Sequence, residues 1–461
     1  MNTHTAIYKE KKAFISNSTL LLLAFATAYF PRVLDTLGAP SPINFLHFAT
    51  VPLASLIIIT KTKTKDQNQI AISWKLISGL FILLTVMSTS MFLNNAGFVN
   101  LFINYFLLAE PFIILVAIVC IPMSPETLKK MKYWLFIFGL SNLVLAYMQN
   151  FLIKAGILRV IEMTPEDNIQ GVFYLSGAGN YVSVSVSISF ALFFLLTAKN
   201  VALWIRISGL LAAFYQLMAS DSKQVLLLFL GGWFFLSLTK IKNISKALMY
   251  CIGFVAIIFG LIWCVNNLDF PVFDSFRYWF SRTDLYGSDG EAINLKLAGI
   301  RNVINAYESD LNWLFGLGPG HSIGRLGGWV LLEYKSLLGS LGATFHPVSS
   351  ATKQVIENSW LAKDSSLFSP LFSWGGIWGD IGFLGLGSYL YLGCIALNLL
   401  GKDDLSKFLI FNVVTAGFIL TQMEEPGYML TIASLIGMRY QERQVEKRER
   451  SRLAHLPPES Q

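Results

Sequence analysis

The sequence predicts an all-α integral membrane protein of about twelve spans, with one large helical loop placed outside the membrane before the last three. Three observations carry this. The chain is 54% hydrophobic and only 14% charged, where a soluble domain is closer to about a quarter charged. Its mean hydropathy is +0.55, and apolar runs of about 18 residues or more recur, long enough to cross a hydrocarbon core of about 30 Å. The lysines fall in alternate short connections, which is the pattern that orients a polytopic chain.

Taken in order, Lys9, Lys11 and Lys12 precede a first span near 13–30, and Arg32 and Asp35 share the next connection. A span near 43–60 is followed by Lys61, Lys63 and Lys65, and Lys75 lies at the start of a third near 74–93. The uncharged Asn94-Asn95-Ala96-Gly97 leads to a fourth near 98–121, which ends before Lys129, Lys130 and Lys132. Five more follow near 133–152, 175–197, 202–219, 224–239 and 247–265, with Lys240, Lys242 and Lys246 before the last. Lysine-rich connections alternate with neutral or mixed ones, so both termini are expected in the cytoplasm. Four segments result: an N-terminal bundle over 1–265, an outer loop over 266–370, C-terminal spans over 371–438 and a charged cytoplasmic tail over 439–461. The first apolar run has no small-residue cleavage site and is expected to be retained as a span. The net charge of +7 belongs to the orienting lysines and does not imply nucleic acid. Cys120, Cys251, Cys264 and Cys394 lie in or at the ends of apolar runs, with neither metal-site spacing nor a disulfide framework.

The outer loop is the one long polar interval, and chemistry is expected there. Residues 290–308 have helical periodicity, with Ile293, Leu297, Ile300 and Ile304 on one stripe and Asn294, Arg301, Asn305 and Glu308 on the neighbouring face. Such a helix is expected to lie on the membrane surface, apolar side down, with Arg301 at headgroup level. A second short helix is predicted over 350–362. Between them, Gly316-Leu317-Gly318-Pro319-Gly320 and Gly324-Arg325-Leu326-Gly327-Gly328 mark tight turns where backbone can approach a ligand, at Gly318 and Gly320 above all.

These features together resemble the O-antigen polymerase and O-antigen ligase superfamily. The resemblance is carried by the arginine on a helix, by Leu314-Phe315-Gly316-Leu317-Gly318-Pro319-Gly320, and by the span opening Trp378-Gly379-Asp380-Ile381-Gly382. Gly171-Val172-Phe173 through Gly179-Asn180-Tyr181, and Ala219-Ser220-Asp221-Ser222-Lys223, are similar too. The resemblance implies a GT-C-like glycosyltransferase of the bacterial inner membrane with its large loop in the periplasm. It implies Wzy-type polymerisation of polyprenyl-pyrophosphate-linked repeat units into O-antigen, exopolysaccharide or capsule, without a cofactor, beside a chain-length regulator and a flippase. The ligase alternative transfers the glycan to lipid A core or protein. Ligases carry a histidine before the glycine-bearing span; here that region reads Lys363-Asp364-Ser365-Ser366.

Departure of pyrophosphate develops negative charge, which a forked guanidinium stabilises without metal. Arg301 is the first candidate, with Lys223, Arg277 and Arg282 as helpers. The alternative for these arginines is pairing with nearby carboxylates or lipid phosphate. A base for the acceptor hydroxyl is sought among Asp364, Asp380, His321 and His346. Glu110 and Asp380 lie inside apolar spans, where a carboxylate must be paired or face water. That same placement suits a coupling ion, so a secondary transporter is the rival class, and a noncatalytic envelope scaffold is a third.

Overall fold

The computed structural model describes residues 15–63, 66–160, 164–174, 178–241, 244–270, 273–287 and 290–454. Lys9, Lys11, Lys12, Lys65, Lys242 and the tail beyond 454, on which the sequence reading drew, lie outside them. All regular structure among the described residues is helical. The first half comprises α1 (Asn17–Tyr29), α2 (Pro31–Thr36), α3 (His47–Lys61), α4 (Gln67–Leu93), α5 (Phe98–Cys120), α6 (Pro125–Lys154), α7 (Gly179–Thr197), α8 (Leu203–Ala219), α9 (Lys223–Leu238) and α10 (Ile244–Asn267). The polar interval folds as α11 (Asp274–Ser281), α12 (Glu291–Asn305), α13 (Leu311–Phe315), α14 (Leu331–Glu333), α15 (Lys335–Ser340), α16 (Pro347–Asn358) and α17 (Trp360–Asp364). The chain closes with α18 (Ser373–Ile395), α19 (Asp404–Ile419) and α20 (Pro426–Ala454).

Among the described residues, seven helical segments are long and apolar enough to cross a membrane: Ser41–Lys61, α4, α5, α6, α7, Leu248–Asn267 within α10, and Ser366–Leu400 around α18. Three more, α1, α8 and α9, are apolar but shorter. The protein is therefore a helical membrane protein. Helix starts follow the sequence locally, as where Ser124 accepts from Thr127 N at 3.1 Å before Pro125 at the first helical position of α6. Burial separates the centre from the edge: 78% of the apolar window of α5 is buried and only 6% of that of α10. Around α5, Ile114, Leu115, Ile118 and Val119 share one apolar core with Leu430, Leu435, Ile436 and Met438 of α20. Helix α10 is peripheral and leans on α9.

Connections gather at two ends of the bundle. At one, Lys132 pairs with Glu442 at 2.5 Å, Lys240 with Asp404, and Arg439 and Arg443 with Asp403. At the other, the 266–370 segment is tied to the remaining connections. Thr344 accepts from Gly97 N at 2.8 Å, Asn312 donates to Asn94 at 3.0 Å, Ser366 meets Tyr181 at 2.5 Å, and Arg325 N donates to Glu424 at 2.8 Å.

One sequence expectation changes in the outer segment. Helix α12 forms close to its predicted bounds, with Ala292, Leu295, Gly299 and Val303 buried against the protein and the stripe residues Ile293, Leu297 and Ile304 left 38–40% exposed. The reason is close docking by small residues, since a Cβ on Gly299 would stand 2.7 Å from the Pro370 carbonyl. Lys296 straps the helix down, donating to the carbonyls of Ser369 at 2.9 Å and Ile419 at 2.5 Å, and burial lowers its ammonium to about 7. The predicted helix over 350–362 is two helices, α16 and α17, parted at Ser359, whose hydroxyl caps α17 through Ala362 N at 3.2 Å.

The glycine turn after α13 has a structural partner. Helix α18 breaks at Gly382 (φ 65°, ψ −167°). The break frees the carbonyls of Gly379 and Asp380, which accept from Leu317 N at 2.8 Å and Gly318 N at 2.9 Å. Ser90 of α4 donates to the Asp380 carbonyl at 3.0 Å. Asp380 lies about 10 Å below the start of α18 at the helical rise, so irregular backbone at membrane depth is satisfied by a second irregular segment.

Candidate functional site: a cavity beneath the outer loop segment

A cavity of about 970 Å³ opens where α9 and α10 meet the 266–370 segment. Its lower wall is apolar. Leu226, Leu227 and Leu230 line it from α9, and Ile258, Leu261, Ile262 and Val265 from α10. The spacings i, i+1, i+4 and i, i+3, i+4, i+7 put each set on a single helical face. Above this cleft the lining turns polar and aromatic. It includes Asp167, Asn180, Asp221, Lys223 and Ser366, with Arg325, Trp329, Glu333, Lys353, Glu357 and Asp364. Phe276, Trp279, Tyr286 and Phe368 complete it.

Lys223 is positioned by the turn Ser220-Asp221-Ser222. Asp221 takes a left-handed φ of 47°, both serines are buried, and α9 starts at Lys223. The ammonium pairs with Asp221 at 2.8 Å and lies 5.6 Å from the Phe276 ring centre. The first turn of α9 adds the positive end of its helix dipole to the same place.

Arg325 is 7% exposed and lines the cavity from the glycine-rich run. Its guanidinium pairs with Glu425 and lies 5.0 Å from the Trp329 ring centre, which Arg32 approaches at 5.7 Å. Glu424 holds Arg325 through its backbone N–H, and Gly324 leaves room for that carboxylate, since a Cβ there would stand 2.9 Å from Glu424 Oε2. Burial pushes Glu424 up to about 8, with nearby Asp380 adding to the rise and the Arg325 N–H opposing it. The sign of the linkage follows: the folded state keeps a proton that the unfolded carboxylate, near 4.5, gives up, so stability is lost as pH rises toward and through about 8. Glu424→Gln is therefore expected to lift the melting temperature of detergent-solubilised protein by about 3 °C more at pH 9 than at pH 5.5. Equal shifts at both pH values would show that Glu424 does not titrate in this range.

Asp167 sits in a connection fixed from below by α6. Gln149 accepts from Gln170 N at 2.8 Å and Gly171 N at 2.7 Å, and Asn142 accepts from Val172 N at 3.0 Å. Asp167 accepts from Asn180 at 3.0 Å and from Thr164 Oγ1 at 2.9 Å. Burial raises its pKa, Thr164 hydrogen bonds oppose the rise, and Asp221 and Glu166 add to it. A carboxylate shifted this way inside a cavity suits proton transfer.

Of the residues singled out from sequence, the cavity collects Lys223 and Asp364. The others lie elsewhere. Arg301 is exposed on α12 and donates to Asn294 at 2.9 Å. Arg277 caps the end of α10 through the carbonyls of Val265 at 2.9 Å and Leu268 at 3.0 Å and pairs with Asp274. Arg282 stacks on Tyr278 at 4.1 Å and Trp360 at 5.2 Å. Asp380 is buried, accepting from Asn104 at 2.7 Å and Ser322 N at 2.8 Å. Gly318 and Gly320 have φ of 105° and 73° in the turn that plugs the α18 break. His321 has both ring nitrogens engaged, with the Leu317 carbonyl at 2.9 Å and Thr344 at 2.8 Å. Burial, with His346 stacked 5.3 Å away, takes His321 down to about 4 against the opposing Leu317 contact. Glu110 pairs with His47 at 2.8 Å, a partner the sequence reading did not identify.

Arg325, Glu424, Glu425 and Asp167 were also missed as site residues. The available signal for Arg325 was a cation inside a glycine-rich run, and for the glutamates an acidic pair in a short connection. Among the described residues no three His, Cys, Asp or Glu side chains are grouped to hold a metal ion. No family model and no curated protein matches this chain.

Proposed function

We propose that this protein is a bacterial inner-membrane glycosyltransferase that polymerises polyprenyl-pyrophosphate-linked repeat units on the periplasmic face. The observation that carries the reading is the cavity, in which an apolar cleft between α9 and α10 continues into a chamber with Lys223, Arg325 and aromatic walls. A lipid-linked glycan has the same three parts: hydrocarbon chain, diphosphate and sugar. The topology proposed with it has nine spans (α1 and α3–α10), a periplasmic segment over 266–370, and three further spans (α18–α20), with both termini cytoplasmic. The ion-paired Lys132, Lys240, Arg439 and Arg443 cluster at the opposite end, as cytoplasmic orientation requires.

In this reaction an acceptor hydroxyl attacks the anomeric carbon of the growing glycan, and the bond to the diphosphate oxygen breaks. The hydroxyl proton passes to a cavity carboxylate, for which Asp167 is best placed. The charge developing on the leaving diphosphate meets Lys223, the first turn of α9 and Arg325. A transporter reading would need Glu110 or Asp380 free for a coupling ion; the first is paired with His47 and the second is held by Asn104 and Ser322.

The test is the lipid-linked glycan left in cells lacking the protein. Accumulation of single repeat units is the expected result. Long lipid-linked chains would make it a ligase, and no accumulation would remove both activities.

A further inference from the structure

The chamber's charges are unevenly matched. Each cation in its lining already has a carboxylate: Lys223 has Asp221 at 2.8 Å, Lys353 has Glu357 at 3.7 Å, and Arg325 has Glu425. Asp167, Glu333 and Asp364 line the same space, and among the described residues none of these three has a cationic partner within 4.0 Å. Glu333 and Asp364 are exposed, and Tyr286 and Trp279 line the same chamber around Phe368, with ring centres 6.1 and 5.4 Å from it. Aromatic faces beside unpaired carboxylates are suited to a sugar: the ring stacks on the apolar face, and its hydroxyl or ammonium groups donate to the carboxylates. A sugar carrying its own carboxylate would add like charge in a partly enclosed space, where such repulsion costs most.

We infer that the glycan this chamber accepts is neutral or amine-bearing, and that unpaired lining carboxylates select against acidic sugars. This rests on the lipid-linked-glycan reading above. The discrimination resides in the sugar, because the diphosphate is common to every such substrate.

The experiment measures binding to the full chain in zwitterionic nanodiscs at low salt. The probes are farnesyl diphosphate and a matched set of farnesyl-diphosphate-linked sugars ending in glucose, glucosamine or glucuronate. The glucose and glucosamine probes are expected to bind about tenfold or more tightly than the glucuronate probe. That ratio should narrow in 0.5 M NaCl (about 4 Å of screening length) and in the Glu333→Gln/Asp364→Asn double variant. Glucuronate binding equal to or tighter than glucose binding would overturn the inference while leaving the parent reading intact. Failure of all probes, farnesyl diphosphate included, would remove the parent reading and this inference with it.

Discussion

Lys223→Ala is expected to lower repeat-unit polymerisation on the order of a hundredfold, the effect of removing one charge-assisted contact worth about 3 kcal/mol in the transition state. Arg325→Lys should fall nearly as far, because it keeps the charge but loses the fork and the stacking on Trp329. Lysine is the informative replacement there, since alanine would leave Glu425 buried without its cation. Arg301→Lys should remain near wild type, in contrast to what the sequence alone suggests, because that side chain is exposed on α12 and hydrogen-bonded to Asn294. The measurement is chain length in isolated membranes at matched protein level. Normal chains from Lys223→Ala together with short ones from Arg301→Lys would move the anion site onto α12.

The largest stability effect is expected at the break in α18. Gly382 has φ 65°, and a Cβ there would stand 2.2 Å from the carbonyl carbon of Leu314. The clash is with backbone, which cannot rotate away as a side-chain end can. Gly382→Ala is thus expected to cost on the order of 4 kcal/mol, combining left-handed strain with displacement of the plugging turn. Loss of monodisperse protein and a large drop in melting temperature in detergent are the readouts. Gly387→Ala and Gly393→Ala are the controls: nothing lies within 4 Å of an added Cβ at either site. Both lie in the regular part of α18, where alanine is the better helix former. A Gly382→Ala protein as stable as these controls would show that the break is not needed.

What the sequence conveyed and what it withheld divide along physical lines. Apolar runs and their flanking charges are local, so the long helices and the position of the polar interval were legible, down to the start of α9 at Lys223. The side of α12 that docks on the protein was not, because it carries Gly299, whose close approach to Pro370 is made across the fold. Choosing Arg325 over Arg301 likewise depended on contacts from Glu424 and Glu425, about a hundred residues away. The turn at Gly316–Gly320 read as a ligand loop because its partner, the break at Gly382, shows in sequence only as one glycine among several in α18.

That break also constrains how the chain is made. A bilayer offers no donors for the Gly379 and Asp380 carbonyls or for the Asp380 carboxylate, and each left bare there costs several kcal/mol. Had the plugging turn followed α18 in the chain, the newly inserted span would have waited in lipid with those groups exposed. Instead the turn precedes it, so in the proposed topology it has already been exported when α18 enters the translocation machinery. Ser90 and Asn104, on spans made earlier still, complete the receiving surface. Synthesis from the N-terminus therefore delivers these partners of the break before the helix itself, and a circular permutant that begins at α18 should insert poorly even though its finished contacts are the same.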